Sequence, residues 1–591
     1  MPRFHLHVTV VLCFCSALAQ ADDVWIFSGQ SNMQAIGGAA QRAVGEVVSK
    51  RSESYQSIYV AAPGKPIEAW LDADHKDHRL WADLVEKIQN AKTEGNTFRG
   101  FVWYQGESNT RANAGHYQEQ LEELVARVRK LTGEKDLPVI VVQIGAATSY
   151  SGRDWAAATI REAQRRFVLE DPHAALVTAI DAEVGDYTVH LSKAGAEVVA
   201  GRIAAAADAL GYDAENRHWG PQFKQAYFAN KQQTHVVVEF GHVQDGLQLG
   251  PGWLAGFGAS LQTSLPEKLS DLPDAEALGQ LTDDYIFPAG GVHLDTTRLV
   301  LAFDKPLPEV ARLSYAACRN AQYGPHRNWG LEFSGLTDAS GQHAPAFVLV
   351  PIGKADSLSV SVPPADVKLH ADWKQVAVNC VGRFPPAVMQ PDQKAGIDDD
   401  NWRQAYWNPA SAGLVPNLFD HDGKVTGVNF HTGVWYMSPY YRELTGGDDA
   451  LMASWCKNSL HGLSGLKPGA KYDLAIYLLQ GPPKKLADDE KPPSHREVRV
   501  SLLHIPAGKK RKYGQIVLEQ TIRVPAEGTF ESYELATTGN KQTGNVVVLT
   551  GVLADPHGRI EIAIESATIK GDSLRWGETT LAGLQIRPTA R

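Results

Sequence analysis

From residue 24 to about residue 210 the chain alternates short, unbroken apolar runs with stretches whose apolar residues recur every three or four positions. The runs lie at 24–27, 57–61, 100–104, 139–144 and 175–180, and the helical stretches are clearest at 117–131 and 155–169. Strands that are apolar without alternation are buried on both faces, and the helices between them supply the cover. The pattern therefore specifies an α/β domain with a parallel sheet between two helical layers. In such sheets reactive groups gather beyond the carboxyl ends of the strands.

At 591 residues the chain is too long for a single core. After "GYDAENRHWGPQF" (211–223) the helical period fades and short alternating runs such as "THVVVEF" (234–240) and "TTRLVLAF" (296–303) take over. A second β segment starts near "KQVAVNCVG" (374–382) and runs through "KYDLAIYLL" (471–479) to "GLQIRP" near the end, interrupted by the loop-like "GPPKKLADDEKPP" (481–493). The predicted division is a signal segment at 1–21, the α/β domain at 22–212, a β-sandwich-like domain at 213–373 and a C-terminal sandwich or jelly-roll-like domain at 374–591.

The first 21 residues carry Arg3, an apolar segment over 8–18 and small residues at Ala17, Ala19 and Ala21, the layout of a secretory signal. The apolar segment is too short to span a bilayer in a mature chain, so a secreted, periplasmic or cell-surface protein is expected. Cys13 and Cys15 fall inside it. That leaves Cys318, Cys380 and Cys456, an odd set that allows at most one disulfide and shows no metal-ligand spacing. A net charge of -10 argues against nucleic acid or an anionic membrane as partner. The one basic run, "KKRK" (509–512), reads as a solvated hairpin tip.

Three apolar runs end in polar residues: 24–27 leads to Ser31, 100–104 leads to "YQGESN" (104–109), and 175–180 leads to "DAEVGDYTVH" (181–190). Parallel strands bring these ends to one edge. That edge then holds a serine, a histidine and carboxylates, the parts needed to deprotonate a hydroxyl and support the resulting imidazolium. No phosphate loop stands out, and nothing in the sequence requires a metal, nucleotide or other cofactor.

Four ordered pieces, "GQSNM" (29–33), Gly64 with "IEAW" (67–70), "WYQGES" (103–108) and "HLS" (190–192), together with "WAAATIREAQ" (155–164), resemble the SGNH or GDSL-type hydrolases. Within these the chain is similar to the sialate O-acetylesterase and acetylxylan esterase-like carbohydrate esterases. The resemblance covers the first third of the chain and implies a flavodoxin-like three-layer fold. It further implies a serine esterase that removes O-acetyl groups from carbohydrate, with no cofactor. Ser31 is then the nucleophile and His190 the base.

In this group an aspartate stands two or three residues before the histidine, but Thr188 and Tyr187 occupy those positions. The nearest candidate is Asp186, one α-turn from His190; Asp181, Glu183 and a Ser–His dyad remain open. The implied oxyanion hole is the backbone N–H of Ser31 and of Gly64 with a side-chain amide from the third motif, for which Gln105 and Asn109 are the candidates and Gln105, closest to the strand end, is preferred. Gln30, Asn32, Glu107 and Asn109 are assigned to substrate binding or, more simply, to bracing the loops. Two rival readings stay open: a glycan-binding or cell-surface protein that keeps the hydrolase fold without catalysis, and the same chemistry on a different acyl ester. The oligomeric state is not legible.

Overall fold

A computed structural model of the chain describes residues 21–590 apart from 52–53, 146–153, 185–188, 213–218, 250–252, 261–268, 272–284, 287, 317–334, 355–366, 369, 381–392, 398–401, 411–412, 416–417, 425, 433–435, 440–450, 452–453, 458–459, 481–494, 505–514, 526–543 and 567–578. Residues 1–20 of the expected signal segment, Asp186, Cys318 and "KKRK" lie outside the described residues. Among the described residues no helix is long and apolar enough to cross a membrane.

The first domain is a three-layer α/β/α unit. Strands β1 (Asp23–Gly29), β2 (Tyr55–Ala61), β3 (Thr97–Tyr104), β4 (Val139–Gln143) and β5 (Ala174–Thr178) form one parallel sheet in the order β2-β1-β3-β4-β5. This is the flavodoxin-like order, with its reversal of winding between β1 and β3. Helices α1 (Ser31–Ser49) and α6 (Lys193–Tyr212) pack together on one face; α3 (Arg79–Thr93), α4 (Tyr117–Thr132) and α5 (Asp154–Glu170) cover the other, and the four-residue α2 (Glu68–Leu71) adjoins α3 and α4. Val24, Trp25, Ile26 and Phe27 are fully buried, as an all-apolar central strand requires. Trp70 and Trp103 meet edge to face at 5.1 Å inside this core, so they serve packing and not sugar stacking.

The second region is β-rich. Nine strands between Gln222 and Lys368 form one sheet, antiparallel except where Phe347–Lys354 runs beside Gln222–Phe228. Strands distant in the sheet order feed one core in which Phe223, Phe240, Phe257, Tyr315 and Phe347 meet. The third region is a sandwich of a seven-stranded and a six-stranded sheet. Val376, Leu474 and Ile476 of the first interleave with Val498, Val500 and Ile562 of the second. Trp402, Trp407 and Cys380 are buried there. The strands flanking the basic run, His495–His504 and Gln515–Pro525, pair antiparallel down to His504 opposite Gln515.

Candidate active site

Gly29 ends β1 at φ +151°, and a Cβ there would stand 2.0 Å from the Tyr104 carbonyl oxygen, so only glycine fits where β1 and β3 close together. The backbone is pinned on both sides: Gln30 N–H donates to Tyr104 O at 3.0 Å, and Ala62 N–H donates to Gly29 O at 3.1 Å. Ser31, half-buried, is therefore delivered at the winding reversal as the first residue of the 19-residue α1. No side chain caps this helix and no acidic residue lies in its first turn. Its first N–H groups have no intrahelical acceptor and carry the positive end of the helix dipole.

The neighbouring Asn32 joins this helix to the histidine loop. Its Nδ2 donates to Val189 O at 3.0 Å and its Oδ1 accepts from Leu191 N–H at 3.2 Å, so the backbone is held on both sides of His190. A bridge between Val184 and Leu191 and a bond from Ser192 N–H to Glu183 O at 2.8 Å close the base of that loop.

The same Asn32 Nδ2 donates to Glu107 Oε1 at 2.6 Å, while Glu107 Oε2 is buried with no hydrogen-bond partner among the described residues. Burial pushes the Glu107 carboxyl above its ordinary range; the Asn32 bond and the charges of His190 and Arg161 pull the other way without prevailing. Among the described residues, Glu107 is thus a carboxylate whose charge reaches His190. The sequence points it to substrate binding or bracing, because spacing along a loop does not reveal which way a side chain turns.

Gln105 is fully buried, and its Nε2 faces three acceptors: Asn109 Oδ1 at 2.8 Å, Gln30 Oε1 at 3.1 Å and Lys65 O at 3.2 Å. Its two amide hydrogens are spent on these loops, so the side chain as placed has none for an oxyanion. Gln30 Oε1 also accepts from Ser108 N–H, and Asn109 accepts from Ile67 N–H while donating to Glu68. Gln30, Asn32, Glu107 and Asn109 are all buried and tie the ends of β1, β2 and β3 together. Burial alone would raise the Glu68 carboxyl, but donors from Gln120, Asn113 and Asn109 hold it below its ordinary range. Gly64, on the segment that Gln105 and Asn109 grip, is exposed at φ +66° with open space beside it.

Of the other carboxylates considered for His190, Asp181 is taken by Arg202 in a two-pronged pair at 2.6 and 2.8 Å, and Glu183 is exposed and accepts from Ser192 Oγ at 2.9 Å. The "REAQ" stretch also has defined work. Arg161 donates to Ile144 O and Gly145 O, and Gln164 donates to Gln105 O at 2.9 Å and accepts from Ile144 N–H at 3.1 Å. Both side chains are buried, Arg161 against the residues that follow β4 and Gln164 against the first residue after β3.

Residues 45–209 match the family model described as carbohydrate esterase, sialic acid-specific acetylesterase. The match includes Gly64, Gln105, Glu107 and His190 and begins after Ser31. Among curated proteins no sequence matches the chain. Among solved structures, a carbohydrate acetylesterase from Xanthomonas citri is 19% identical with a TM-score of 0.42, over 55% of this chain and 80% of that one. A protein from Arabidopsis thaliana is 18% identical with a TM-score of 0.28, over 32% of this chain and 99% of that one. The catalytic domain of a peptidoglycan O-acetyltransferase from Streptococcus pneumoniae is 15% identical with a TM-score of 0.21, over 33% of this chain and 96% of that one.

Proposed function

We propose that this chain is a serine esterase that removes O-acetyl groups from carbohydrate, since residues 45–209 match the family model described as carbohydrate esterase, sialic acid-specific acetylesterase. The observation that carries the reading is the grip of Asn32 on both sides of His190, which brings the base loop to the start of the helix that presents Ser31. In the proposed course His190 takes the Ser31 proton, Ser31 Oγ attacks the acetyl carbonyl, and the oxyanion forms against the N–H groups of Ser31 and Gly64. The imidazolium then protonates the departing sugar oxygen as its bond to the acetyl carbon breaks, leaving an acetyl-Ser31; water, deprotonated by the same ring, attacks this ester, and acetate leaves as the ring returns the proton to Ser31 Oγ.

Two carboxylates can support the imidazolium. Asp186 is the one expected from sequence, and Glu107 is the one whose charge is felt at His190. We favour Glu107, because its buried and unpartnered Oε2 gains most from a neighbouring positive charge. Gln105 acts in this reading as the brace that sets the Gly64 segment.

An acyl-length series tests the assignment against the rival of a different ester. With p-nitrophenyl acetate, butyrate and octanoate, kcat/KM is expected to fall by about tenfold or more beyond two carbons, as a small acyl pocket demands. A rate that rises with chain length contradicts it. Acetate release from acetylated xylan, sialic acid and other polysaccharides then identifies the sugar. Export is proposed from the layout of residues 1–21, and N-terminal sequencing of the mature protein should begin at Asp22; an intact Met1 in exported protein contradicts it.

A further inference from the structure

A short piece of the second region sits against the carboxyl ends of β4 and β5 through directional bonds, most of them to deeply buried side chains. Gln143, at the end of β4, donates from Nε2 to Ala346 O at 2.9 Å and accepts at Oε1 from Ala346 N–H at 2.8 Å. Glu162 of α5 accepts from Val348 N–H at 3.0 Å, and Arg202 of α6 donates to Gln342 Oε1 at 2.8 Å. Gln143, Glu162 and Arg202 are all at most 2% exposed. Apolar packing would hold two domains together without fixing their register, whereas a reciprocal amide pair and a buried carboxylate fix it to bonding distance.

Two of the three side chains continue toward the site. Arg202 also grips Asp181 and Thr178 O, which anchors the start of the segment that ends in His190. Gln143 Nε2 donates to Arg161 O as well, and α5 in turn holds the loop after β3 through Gln164 and the residues just after β4 through Arg161. A second contact reinforces the first: Leu269 is buried in the core of the first domain, and Ser270 Oγ donates to Glu119 at 3.0 Å, beside the turn at 114–116.

We propose that residues 342–348 form a latch that fixes the His190 loop and the Glu107 loop at once, so that the second region is part of the catalytic unit and Gln143 and Gln342 are positioning residues. The inference rests on the esterase reading above for its kinetic consequence. A displacement of about 1 Å at a reacting group can cost about 10²-fold in rate.

The test uses the full chain with Gln143→Ala and Gln342→Ala, assayed on p-nitrophenyl acetate together with amide hydrogen exchange of the peptides spanning 104–112 and 182–192. Gln143→Ala is expected to lower kcat about 10²-fold and Gln342→Ala about tenfold, each with KM within about twofold of wild type, and both peptides are expected to exchange faster. Gln342→Ala is the gentler change, since Arg202 keeps Asp181, and it preserves the test if Gln143→Ala does not fold. Wild-type kcat and unchanged exchange in folded Gln342→Ala and Gln143→Ala would overturn the latch. An inactive wild type with faster exchange in the variants would overturn the esterase reading and leave the latch standing.

Discussion

Ser31→Ala should abolish acetate release, lowering kcat by about 10⁴-fold or more, while the protein folds and melts as the wild type does. The rate loss follows from removing the attacking oxygen, whose loss no other group can make good. The intact fold follows from position. Ser31 opens α1 as a half-buried residue, the helix carries no side-chain cap there, and the structural constraint at this strand end is borne by Gly29 and Asn32. The non-catalytic glycan-binding alternative expects the opposite: no acetate released by either protein, and carbohydrate binding unchanged by the substitution. Acetate assay and calorimetry on the same pair of proteins decide between them.

Glu107→Gln should move activity and stability in opposite directions. The amide keeps an oxygen for Asn32 Nδ2 but removes the charge that supports the His190 imidazolium, and a loss in kcat of about 10²–10⁴-fold is expected. Burial holds this carboxyl above its ordinary range, so in the window between the ordinary and the raised value the folded protein keeps a proton that the unfolded chain has released. Wild-type stability from this group is present below that window and is lost as pH rises through it. The glutamine variant lacks the loss, so it should be more stable at neutral pH, by about 1–3 kcal/mol if the orphaned oxygen sets the scale, and no more stable in acid. Denaturant melts across pH read this directly. Asp186→Asn is the matched control: a larger fall in kcat there than in Glu107→Gln would return the supporting role to Asp186.

The parallel sheet was legible because its strands are unbroken apolar runs, and the approach of the segment around His190 to the start of α1, made through Asn32, was legible because parallel strands share one carboxyl edge. Directions of side chains within that edge were not. Gln105, Glu107 and Asn109 follow β3 at alternate positions, yet one turns onto Lys65 and Gln30, one toward Asn32 and His190, and one onto Glu68. Those choices depend on partners 40 to 75 residues away. Helix α5 shows the same limit. Arg161, Glu162 and Gln164 of its "REAQ" stretch are polar yet buried, because the residues after β3 and β4 and the strand starting at Phe347 lie on them. Texture alone separated the β regions from the first domain and could not show that residues 342–348 bond to it.

The most direct measurement is peptide mapping after inactivation with a sulfonyl fluoride, with residual acetate release followed on the same sample. One adduct is expected, on the peptide carrying Ser31, with activity lost in proportion to labelling. Full acetate release from protein whose Ser31 is completely labelled, or inactivation with the adduct on another residue, would contradict it.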